Sequence, residues 1–480
     1  MEEWHQQSVV QQGTKEGGFI RLLEITLNKE CMNDKDFDVL IIGGGVLGTT
    51  LAYWVSQEFD SKIAIIERSR DIALHQSMRN TGVIHRPFYL NPAKKRVWAF
   101  SAQVSFKLWK YISVNEGAPW KNTGTIEIAK REEDMKIIDE YQKWAIQNGM
   151  NENEVEIMDE KGLAKLEPNV KGYGAIYSRT DASVDFQEFA IKVFERANKY
   201  GVKLIGNTTV KKIDQTGNCK VYASNNGASN IMKAKVIINC AGGGALKLAK
   251  SEGLGKGYTN LFFRGDYWKV KGPLAQKIIS NIYTVPEHPK YPFLDPHFIV
   301  RYNGVNEVGP TATLVSNPYA YKDKYSTLVK IWKNLLERPV IPKLNLLLDK
   351  EFRELAKEEW KSSIYSKSMV ARIKKFIPSF KPEYLSERGM SGVRAQVIDK
   401  NGFVPEAIIL LGHNSLHILN YNSPGATGAP AFSALLLEKM KELGYFDGIQ
   451  KRGLSQMSND WNLNKIIEIA PGGLIDGIIK

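Results

Sequence analysis

The sequence has few cysteines and no long hydrophobic run. Its three cysteines, Cys31, Cys219 and Cys240, are scattered and lack metal-ligand spacing. This excludes a disulfide framework, gives no reason to expect a metal site, and favours a reducing compartment. No apolar stretch approaches the length of a membrane span, and residues 1–35 contain no apolar signal-peptide core. We therefore expect a cytoplasmic protein.

Acidic residues are also fewer than basic ones. The 480 residues include 65 Lys and Arg against 52 Asp and Glu, a formal net charge of +13. Such a surface can attract anionic substrates, nucleic acid or an anionic membrane. Because no nucleic-acid motif accompanies the charge, we expect no nucleic-acid partner. The length and a 43% hydrophobic content allow two or three domains with a sizeable core.

The most informative stretch is a glycine motif between two apolar runs. Phe37 to Ile42 leads into G-x-G-x-x-G at Gly43 to Gly48, followed by a helical pattern to about Phe59. A second apolar run, Ile63 to Ile66, ends at Glu67. This order predicts a βαβ unit that binds a dinucleotide.

Each residue of the motif has a predicted role. Gly43 permits the tight turn, Gly45 lets the backbone approach a pyrophosphate, and Gly48 lets helix and strand pack closely. The helix N-terminus offers N–H groups to the phosphates, and Glu67 can accept hydrogen bonds from ribose hydroxyls. Because the motif recognises the ADP half of a dinucleotide, it does not separate NAD from FAD.

The rest of the chain alternates between helical and strand patterns. Helices are predicted over 92–114, 132–148, 184–199 (closed by Gly201) and about 428–443, and strands over 123–128, 202–205, 208–213, 235–239, 262–270, 279–284, 298–302, 306–308, 391–398 and 407–411. The aromatic and β-branched region 261–310 predicts an antiparallel sheet. The strand at 235–239 runs into a second glycine cluster, which indicates either a return to the dinucleotide sheet or a plain turn.

Two loops and one helical region suggest function. The long polar loop 68–89 carries His75, Arg79, His85 and Arg86, and loops of this length are usually functional. The small-residue loop 421–427 precedes the last long helix, whose N–H groups could stabilise the negative charge of a reduced flavin. A nicotinamide has no such need, although any interior helix start looks similar.

The lysine-rich region 322–380 is predicted to be helical. A basic amphipathic helix can lie on a membrane surface or pack against the protein's own core, and both interpretations stay open. The apolar face consists of Leu328, Ile331, Trp332, Leu335 and Leu336.

Further segments occur in a fixed order along the chain. Besides the glycine motif, they are HQSMRNTGVIH (75–85), FRGDYWKV (263–270), NIYTVPEHPKYPFLDPHFIVRYNG (281–304), VGPTA (308–312), SGVRAQVIDKNG (391–402) and LHILNYNSPGATGAP (416–430). From about Asp36 to Met440 the chain resembles the L-2-hydroxyglutarate dehydrogenase (oxidase) family, FAD enzymes of the D-amino-acid-oxidase-like superfamily.

The resemblance implies an α/β fold, in which a Rossmann-like FAD-binding domain is interleaved with an antiparallel-sheet substrate domain. The FAD-binding domain is expected to comprise 36–110, 183–250 and 386–445, and the substrate domain 111–182 and 251–385 with a helical insertion at 322–380. Residues 446–480 form a tail without an interpretable pattern. Residues 1–35 are expected to be a disordered extension, with Met32 as the natural start.

The resemblance also implies FAD as the cofactor. The residues that it places around FAD are Gly43, Gly45, Gly48, Glu67, Arg68, Ser77, Arg79, Asn80, Thr81, Val210, Ala241, Gly242, Gly425, Ala426 and Thr427.

The implied reaction is oxidation of a 2-hydroxy acid by hydride transfer to flavin, with L-2-hydroxyglutarate as the expected substrate. Removing the hydroxyl proton calls for a base, and a neutral histidine is suitable. His297 is the first candidate and His85 the second, although either could simply be a hydrogen-bonding residue.

A substrate carboxylate favours a bidentate arginine. Arg394 fits best, and Arg264 is second because it could equally form a structural salt bridge with Asp266. Tyr267 and Asn80 are expected to supply hydrogen bonds.

The chain departs from the family pattern at several positions. Arg86-Pro87 stands where the family has Ser-Gly, and Met78 replaces a glycine. Gly425 and Gly428-Ala429 stand where alanine and serine are usual. Arg86 is expected to add a positive charge beside the pocket, which leaves the identity of the acid open.

Other functions stay open. A malate:quinone oxidoreductase-like enzyme, a glycine or sarcosine oxidase-like enzyme and a non-catalytic flavin-binding scaffold are alternatives, although His297 and Arg394 argue against the scaffold. The electron acceptor is oxygen, a quinone or a carrier protein. The protein either stays free in the cytoplasm or contacts the inner face of the membrane peripherally.

Overall fold

The computed structural model describes residues 36–215, 219–292, 295–322, 327–453 and 461–480. The predicted extension at 1–35, with Met32 and Cys31, lies outside these residues.

The strands in the described residues form four sheets. In chain order they are β1 (Asp36–Ile42), β2 (Ile63–Ile66), β3 (Val83–Ile84), β4 (Trp120–Asn122), β5 (Thr125–Ala129), β6 (Val155–Asp159), β7 (Gly174–Ser178), β8 (Ala182–Val184), β9 (Lys203–Ile205), β10 (Thr208–Asp214), β11 (Lys220–Asn225), β12 (Ala228–Asn239), β13 (Thr259–Gly265), β14 (Trp268–Val270), β15 (Asn281–Thr284), β16 (His297–Val300), β17 (Asn306–Gly309), β18 (Thr313–Val315), β19 (Leu385–Arg388), β20 (Gly392–Asp399), β21 (Gly402–Phe403), β22 (Ile408–Leu411) and β23 (Ser415–Leu419).

The α-helices surround these sheets. They are α1 (Val46–Glu58), α2 (Arg96–Glu116), α3 (Met135–Gln147), α4 (Glu160–Leu166), α5 (Phe186–Lys199), α6 (Ala245–Ser251), α7 (Pro273–Lys277), α8 (Thr327–Leu335), α9 (Ile341–Leu348), α10 (Lys350–Ile364), α11 (Ser366–Ile373), α12 (Gly425–Glu442) and α13 (Leu463–Glu468).

The first sheet is built around the βαβ unit. Its main path runs β22-β23-β12-β1-β2-β9, and β10 and β11 extend from the N-terminal half of β12. Strand β1 is parallel to both neighbours, so that Ile42 pairs with Asn239 on one side and Ile66 on the other. Of the two alternatives for the glycine cluster after 235–239, the strand pairing shows the return of the chain to the dinucleotide sheet. The carboxyl ends of these three strands meet at one edge, where α/β sheets bind ligands.

Helices α1, α12 and α2 pack against one another beside this sheet. The Trp54 indole of α1 donates to the Pro430 carbonyl of α12 at 2.8 Å. The Trp109 indole of α2 donates to the Thr427 carbonyl at 2.8 Å. Helix α12 begins at Gly425, three residues before the predicted start. Its first turn is therefore fixed by buried tryptophans rather than left in a loop.

The second sheet has eight strands in the order β19-β14-β17-β16-β15-β5-β7-β6. It is mostly antiparallel, as predicted, except that β15 and β5 are parallel. The single strand predicted over 262–270 is wrong, because β13 joins a separate sheet, β18-β13-β20-β21. The chain changes sheets at Asp266, whose backbone N–H donates to Thr311 Oγ1 at 3.1 Å.

The smallest sheet, β3-β8-β4, lies next to His85 and Asp181 in the chain. Val83 pairs with Ser183, and Ile84 pairs with Ala182. His85 follows β3 and Asp181 precedes β8, so this antiparallel pairing brings the two side chains together.

The C-terminal tail belongs to the core. Trp461 is fully buried, with its ring 5.4 Å from Trp54 and 5.9 Å from Trp109. Its indole donates to the Leu108 carbonyl at 3.1 Å. No interpretable pattern was visible here because the buried side chains come from short, irregular pieces of chain.

The lysine-rich insertion is helical, as predicted, and contains α8 to α11. On α8, Leu335 is buried and Ile331 is half-buried in a cluster with Phe263, which supports packing on the core. Trp332 and Leu336 are nevertheless 59% and 65% exposed. Across the described part of the chain, no helix combines the length and the apolar character needed to cross a bilayer.

Candidate active site

A cavity of about 920 Å³ opens where the carboxyl ends of β1, β2 and β12 meet. It lies between the dinucleotide sheet and the β13–β20 pair. Most of the residues predicted for the site line it: Gly43, Gly45, Glu67, Arg68, Ser77, Arg79, Asn80, Thr81, His85, Val210, Ala241, Gly242, Tyr267, Arg394, Gly425, Ala426 and Thr427. Gly48, Arg86, Arg264 and His297 are not among the lining residues.

Two glycines of the motif are required by close backbone contacts. Gly43 has φ +105°, and a Cβ there would lie 2.5 Å from the Cys240 carbonyl oxygen. A Cβ on Gly48 would lie 2.0 Å from the Gly43 carbonyl oxygen. Gly48 thus lies behind the turn and holds α1 against β1, which is its predicted packing role.

Glu67 is buried, and each of its carboxylate oxygens accepts a hydrogen bond from a backbone N–H. Its Oε2 accepts from the Gly44 N–H and its Oε1 from the Ser69 N–H, each at 2.8 Å. A carboxylate has about four lone-pair sites, so each oxygen can accept a further hydrogen bond. The side chain therefore remains able to bind ribose hydroxyls.

The loop after β2 folds over the start of α1. Ser77 Oγ accepts from the Val46 N–H at 3.0 Å. Asn80 Nδ2 donates to the Ser77 carbonyl, and its Oδ1 accepts from the Gly82 N–H, both at 2.8 Å. The Asn80 side chain is thus committed to the shape of the loop rather than directed to a substrate.

His85 lines the cavity with both ring nitrogens engaged. Nδ1 lies 3.2 Å from Asp181 Oδ2, and Nε2 lies 3.3 Å from the Tyr283 hydroxyl. A carboxylate accepts but does not donate, so Nδ1 is the nitrogen that donates to Asp181. This arrangement suits a general base.

His297 is fully buried behind the cavity wall. Its Nδ1–H donates to the Asp295 carbonyl at 3.1 Å, and its ring stacks on Tyr283 with 4.2 Å between centroids. Burial lowers the pKa of His297 to about 3, so the ring is neutral and a poor proton acceptor. The geometry favours His85 over His297, the reverse of the order that the sequence suggested.

Arg394 offers a guanidinium to the cavity. Its Nη1 donates to the Pro292 carbonyl at 2.6 Å, while Nε has no hydrogen-bond partner among the described residues. Burial lowers the pKa of Arg394 to about 10. Within the described chain no carboxylate lies within ion-pair distance of it, so it remains open to an anionic ligand.

The other two predicted substrate arginines are neutralised within the protein. Arg264 Nε donates to Asp266 Oδ1 at 2.9 Å, which is the structural salt bridge that the sequence left open. Arg86 forms a two-point contact with Glu154, at 2.6 and 3.1 Å. The expected positive charge of Arg86 is therefore not offered to the cavity.

Sequence reasoning missed several residues of the site. Asp181 and Tyr283 reach His85 only through strand pairing, which no local pattern reveals. Lys247 of α6 and Lys330 and Lys333 of α8 also line the cavity. The sequence singled out the apolar face of α8. The α8 lysines that line the cavity, Lys330 and Lys333, lie between the residues of that face.

Comparison with known proteins places this geometry in a family. The family model described as DAO, FAD dependent oxidoreductase, matches residues 38–439. A mitochondrial L-2-hydroxyglutarate dehydrogenase of Caenorhabditis briggsae is 30% identical over 83% of this chain and 92% of its own length. The L-2-hydroxyglutarate dehydrogenase of Indibacter alkaliphilus is 28% identical over 84% of this chain and 98% of its own.

The chain belongs to the DAO family of FAD-dependent oxidoreductases and, within it, to the L-2-hydroxyglutarate dehydrogenase family. Among solved structures, the FAD-bound L-α-glycerophosphate oxidase of Mycoplasma pneumoniae has a TM-score of 0.65, at 22% identity over 87% of this chain and 96% of its own. That likeness confirms the predicted fold.

FAD is the cofactor of this family member, and the cavity residues fit it. Gly43 is needed for the turn beside the cavity, because a Cβ there would collide with the Cys240 carbonyl oxygen. The amides of Ala426 and Thr427 lie in the first turn of α12, where N–H groups lack an intrahelical partner. They and the N-terminus of α1 offer two helix ends to an anionic dinucleotide.

Proposed function

We propose that the protein oxidises L-2-hydroxyglutarate to 2-oxoglutarate. The observation that carries this is one cavity that presents both a carboxylate-held histidine, His85, and a guanidinium without a protein carboxylate, Arg394. Membership of the L-2-hydroxyglutarate dehydrogenase family supports the substrate. Oxidation of a 2-hydroxy acid needs a base for the hydroxyl proton and a cation for the neighbouring carboxylate.

In the proposed reaction Arg394 binds the carboxylate next to C2 and so directs the C2 hydroxyl toward His85. His85 Nε2 accepts the hydroxyl proton, while the C2–H bond breaks and a C2=O bond forms. FAD, when bound, supplies the acceptor for the hydride with its two electrons. Burial raises the pKa of Tyr267, so its phenol stays protonated and can donate a hydrogen bond to the substrate.

The direct test is anaerobic mixing of the purified yellow protein with candidate acids. We expect L-2-hydroxyglutarate to bleach the oxidised flavin band, and D-2-hydroxyglutarate and L-malate to leave it. If L-malate or glycine bleaches the flavin and L-2-hydroxyglutarate does not, the protein acts on one of the alternative substrates. A flavin that no acid bleaches would instead support the non-catalytic scaffold.

Two histidine variants test the base. His85→Gln is expected to retain FAD but to lose at least about 100-fold in the rate of bleaching, within the usual range for general-base catalysis. His297→Gln is the matched control and should keep most of the rate, because that ring lies outside the cavity. The opposite pattern would restore His297 as the base.

We also propose that the helical insertion contacts an anionic membrane. Val329, Trp332, Leu336, Ile341 and Leu348 are each at least 59% exposed. They lie on α8, α9 and the turn between them, in a lysine-rich region of a chain with a net charge of +13. Exposed apolar side chains beside lysines are typical of a surface that lies on anionic lipid. A quinone would then be an available electron acceptor.

Vesicle sedimentation tests this contact. We expect binding to phosphatidylglycerol vesicles at low salt and none to phosphatidylcholine vesicles. A double variant, Trp332→Ser with Leu336→Ser, should lose binding, whereas Val114→Ser, an equally exposed apolar residue on α2, should not. Absence of binding to either vesicle would leave oxygen or a soluble carrier as the acceptor.

A further inference from the structure

His85 is held between two groups that the reaction described above does not use. Its Nδ1 faces Asp181 and its Nε2 faces the Tyr283 hydroxyl, at 3.2 and 3.3 Å. The Tyr283 and Tyr89 rings meet the imidazole edge-on, with centroids 5.4 and 5.9 Å away. The ring is therefore fixed in direction as well as in place.

Asp181 is buried but fully compensated. Its Oδ1 accepts from Ser178 Oγ at 2.5 Å and from the Arg86 N–H at 3.2 Å. Its Oδ2 is left for His85. Because an unpaired buried carboxylate is costly, the contact with His85 is part of what keeps this side chain in the protein interior.

Strand pairing holds the backbone around the pair. Asp181 directly precedes β8 and His85 directly follows β3, and the pairing of Ile84 with Ala182 sets the two residues side by side. Thr123, which directly follows β4, has its Oγ1 3.1 Å from Ser183 Oγ on β8. The distance between carboxylate and imidazole is thus set by the smallest sheet of the fold.

We propose that Asp181 is the positioning residue of the base. It holds the proton of His85 on Nδ1 and thereby leaves Nε2 as the nitrogen that accepts the substrate's hydroxyl proton. Tyr283 donates to Nε2 in the absence of substrate and keeps that lone pair directed along the cavity wall. This inference rests on the proposed role of His85 and assigns Asp181 no contact with the substrate.

The test compares two variants of the FAD-loaded enzyme. Asp181→Asn keeps the size of the side chain but permits the imidazole to take the other tautomer. We expect the rate of anaerobic flavin reduction to fall by on the order of 10²- to 10⁴-fold, as when an aspartate that orients a catalytic histidine is replaced by asparagine. The apparent Kd for substrate should stay within about threefold, because Arg394 is untouched.

Ser178→Ala is the matched control, because it removes a hydrogen bond from Asp181 without touching His85. It should keep the rate within about threefold. The rate and the apparent Kd together separate positioning from a structural role, since Asp181→Asn should slow flavin reduction without weakening substrate binding, whereas a disturbed site would do both. An Asp181→Asn rate within threefold of wild type, or an equal loss in Ser178→Ala, would overturn the proposal.

A second measurement does not depend on turnover. The chain has seven histidines, and ¹⁵N-histidine NMR of the wild-type protein, with His85→Gln to assign the signal, reports which nitrogen carries the proton. We expect Nδ1 to be protonated and Nε2 bare, and the reverse would sink the proposal even if Asp181→Asn fails to fold. If no acid bleaches the wild-type flavin, the proposed function fails while this tautomer still tests Asp181.

Discussion

Arg394 and Arg264 have different roles because their side chains lie on opposite faces of one sheet. Arg394 and Arg264 are on neighbouring strands, with Phe263 paired to Arg394 and Arg264 paired to Val393. Side chains alternate along a strand, so the two guanidinium groups leave opposite faces of the sheet. One reaches the cavity and the other reaches Asp266.

Arg394→Lys should weaken substrate binding while leaving flavin in place. Lysine keeps the charge but loses the planar pair of donors, and a charge-assisted hydrogen bond is worth about 1.5–3 kcal/mol, or roughly 10- to 150-fold in affinity. We expect KM for L-2-hydroxyglutarate to rise by that factor. Arg264→Lys is the control, with an unchanged KM. Equal effects in both variants would mean that Arg394 acts only through the fold.

Glu127 gives a prediction for stability. Burial, and then the nearby Asp295 carboxylate, raise its pKa from 4.5 to about 8. The folded state therefore holds a proton on Glu127 that the unfolded state releases above about pH 4.5. Because the folded state binds more protons in this window, the free energy of unfolding falls as pH rises from about 4.5 to about 8.

Glu127→Gln should remove that pH dependence. We expect the variant to gain roughly 2–4 kcal/mol relative to wild type between pH 5 and pH 8, given about 1.4 kcal/mol for each pKa unit. Urea unfolding at the two pH values measures this difference. Glu140→Gln, on the exposed face of α3, should show none. A Glu127→Gln difference that is the same at both pH values would place an ionised carboxylate at this position.

The helices beside the dinucleotide sheet are held by tryptophans that come from distant parts of the chain. Trp54, Trp109 and Trp461 lie on α1, on α2 and just before α13, with ring centroids within 5.4 and 5.9 Å of Trp461. The C-terminal segment thus closes the core that positions the first turn of α12.

Trp461→Ala should therefore destabilise the folded protein. Replacing a buried tryptophan by alanine typically costs about 3–5 kcal/mol, which should appear as a lower urea midpoint with an unchanged slope. Trp360→Ala, at a tryptophan that is 52% exposed on α10, should change the midpoint little. A Trp461→Ala protein as stable as wild type would mean that the tail only covers the core.

Prediction from sequence succeeded where local pattern alone decides the structure. The glycine motif and its flanking strands fix β1, α1 and β2, because turn geometry and helix packing allow few other residues there. It failed for β13 and β14, since nothing local marks Asp266 as the point where the chain changes sheets. The pairing of His85 with Asp181 was likewise invisible, because the two residues are 96 positions apart and only strand pairing joins them.

The cavity is bounded by segments that are far apart in the sequence, so a bound cofactor contacts several of them at once. Gly43 and Glu67 come from the first βαβ unit, Ala241 from the end of β12, and Ala426 and Thr427 from the start of α12. A ligand that touches all of them links the two ends of the chain. Binding to the folded state alone must then raise its stability.

Removal of FAD should lower the melting temperature, and FAD should restore it more fully than FMN does. At 100 times its Kd, a ligand that binds only the folded state adds about 2.7 kcal/mol, or roughly 2 °C or more for a chain above 150 residues. FMN lacks the adenylate that Glu67 and the glycine motif are placed to bind, so at equal concentration it should shift the melting temperature far less. Equal shifts by FMN and FAD would show that the flavin ring alone holds the cofactor and that the glycine motif contributes little to its affinity.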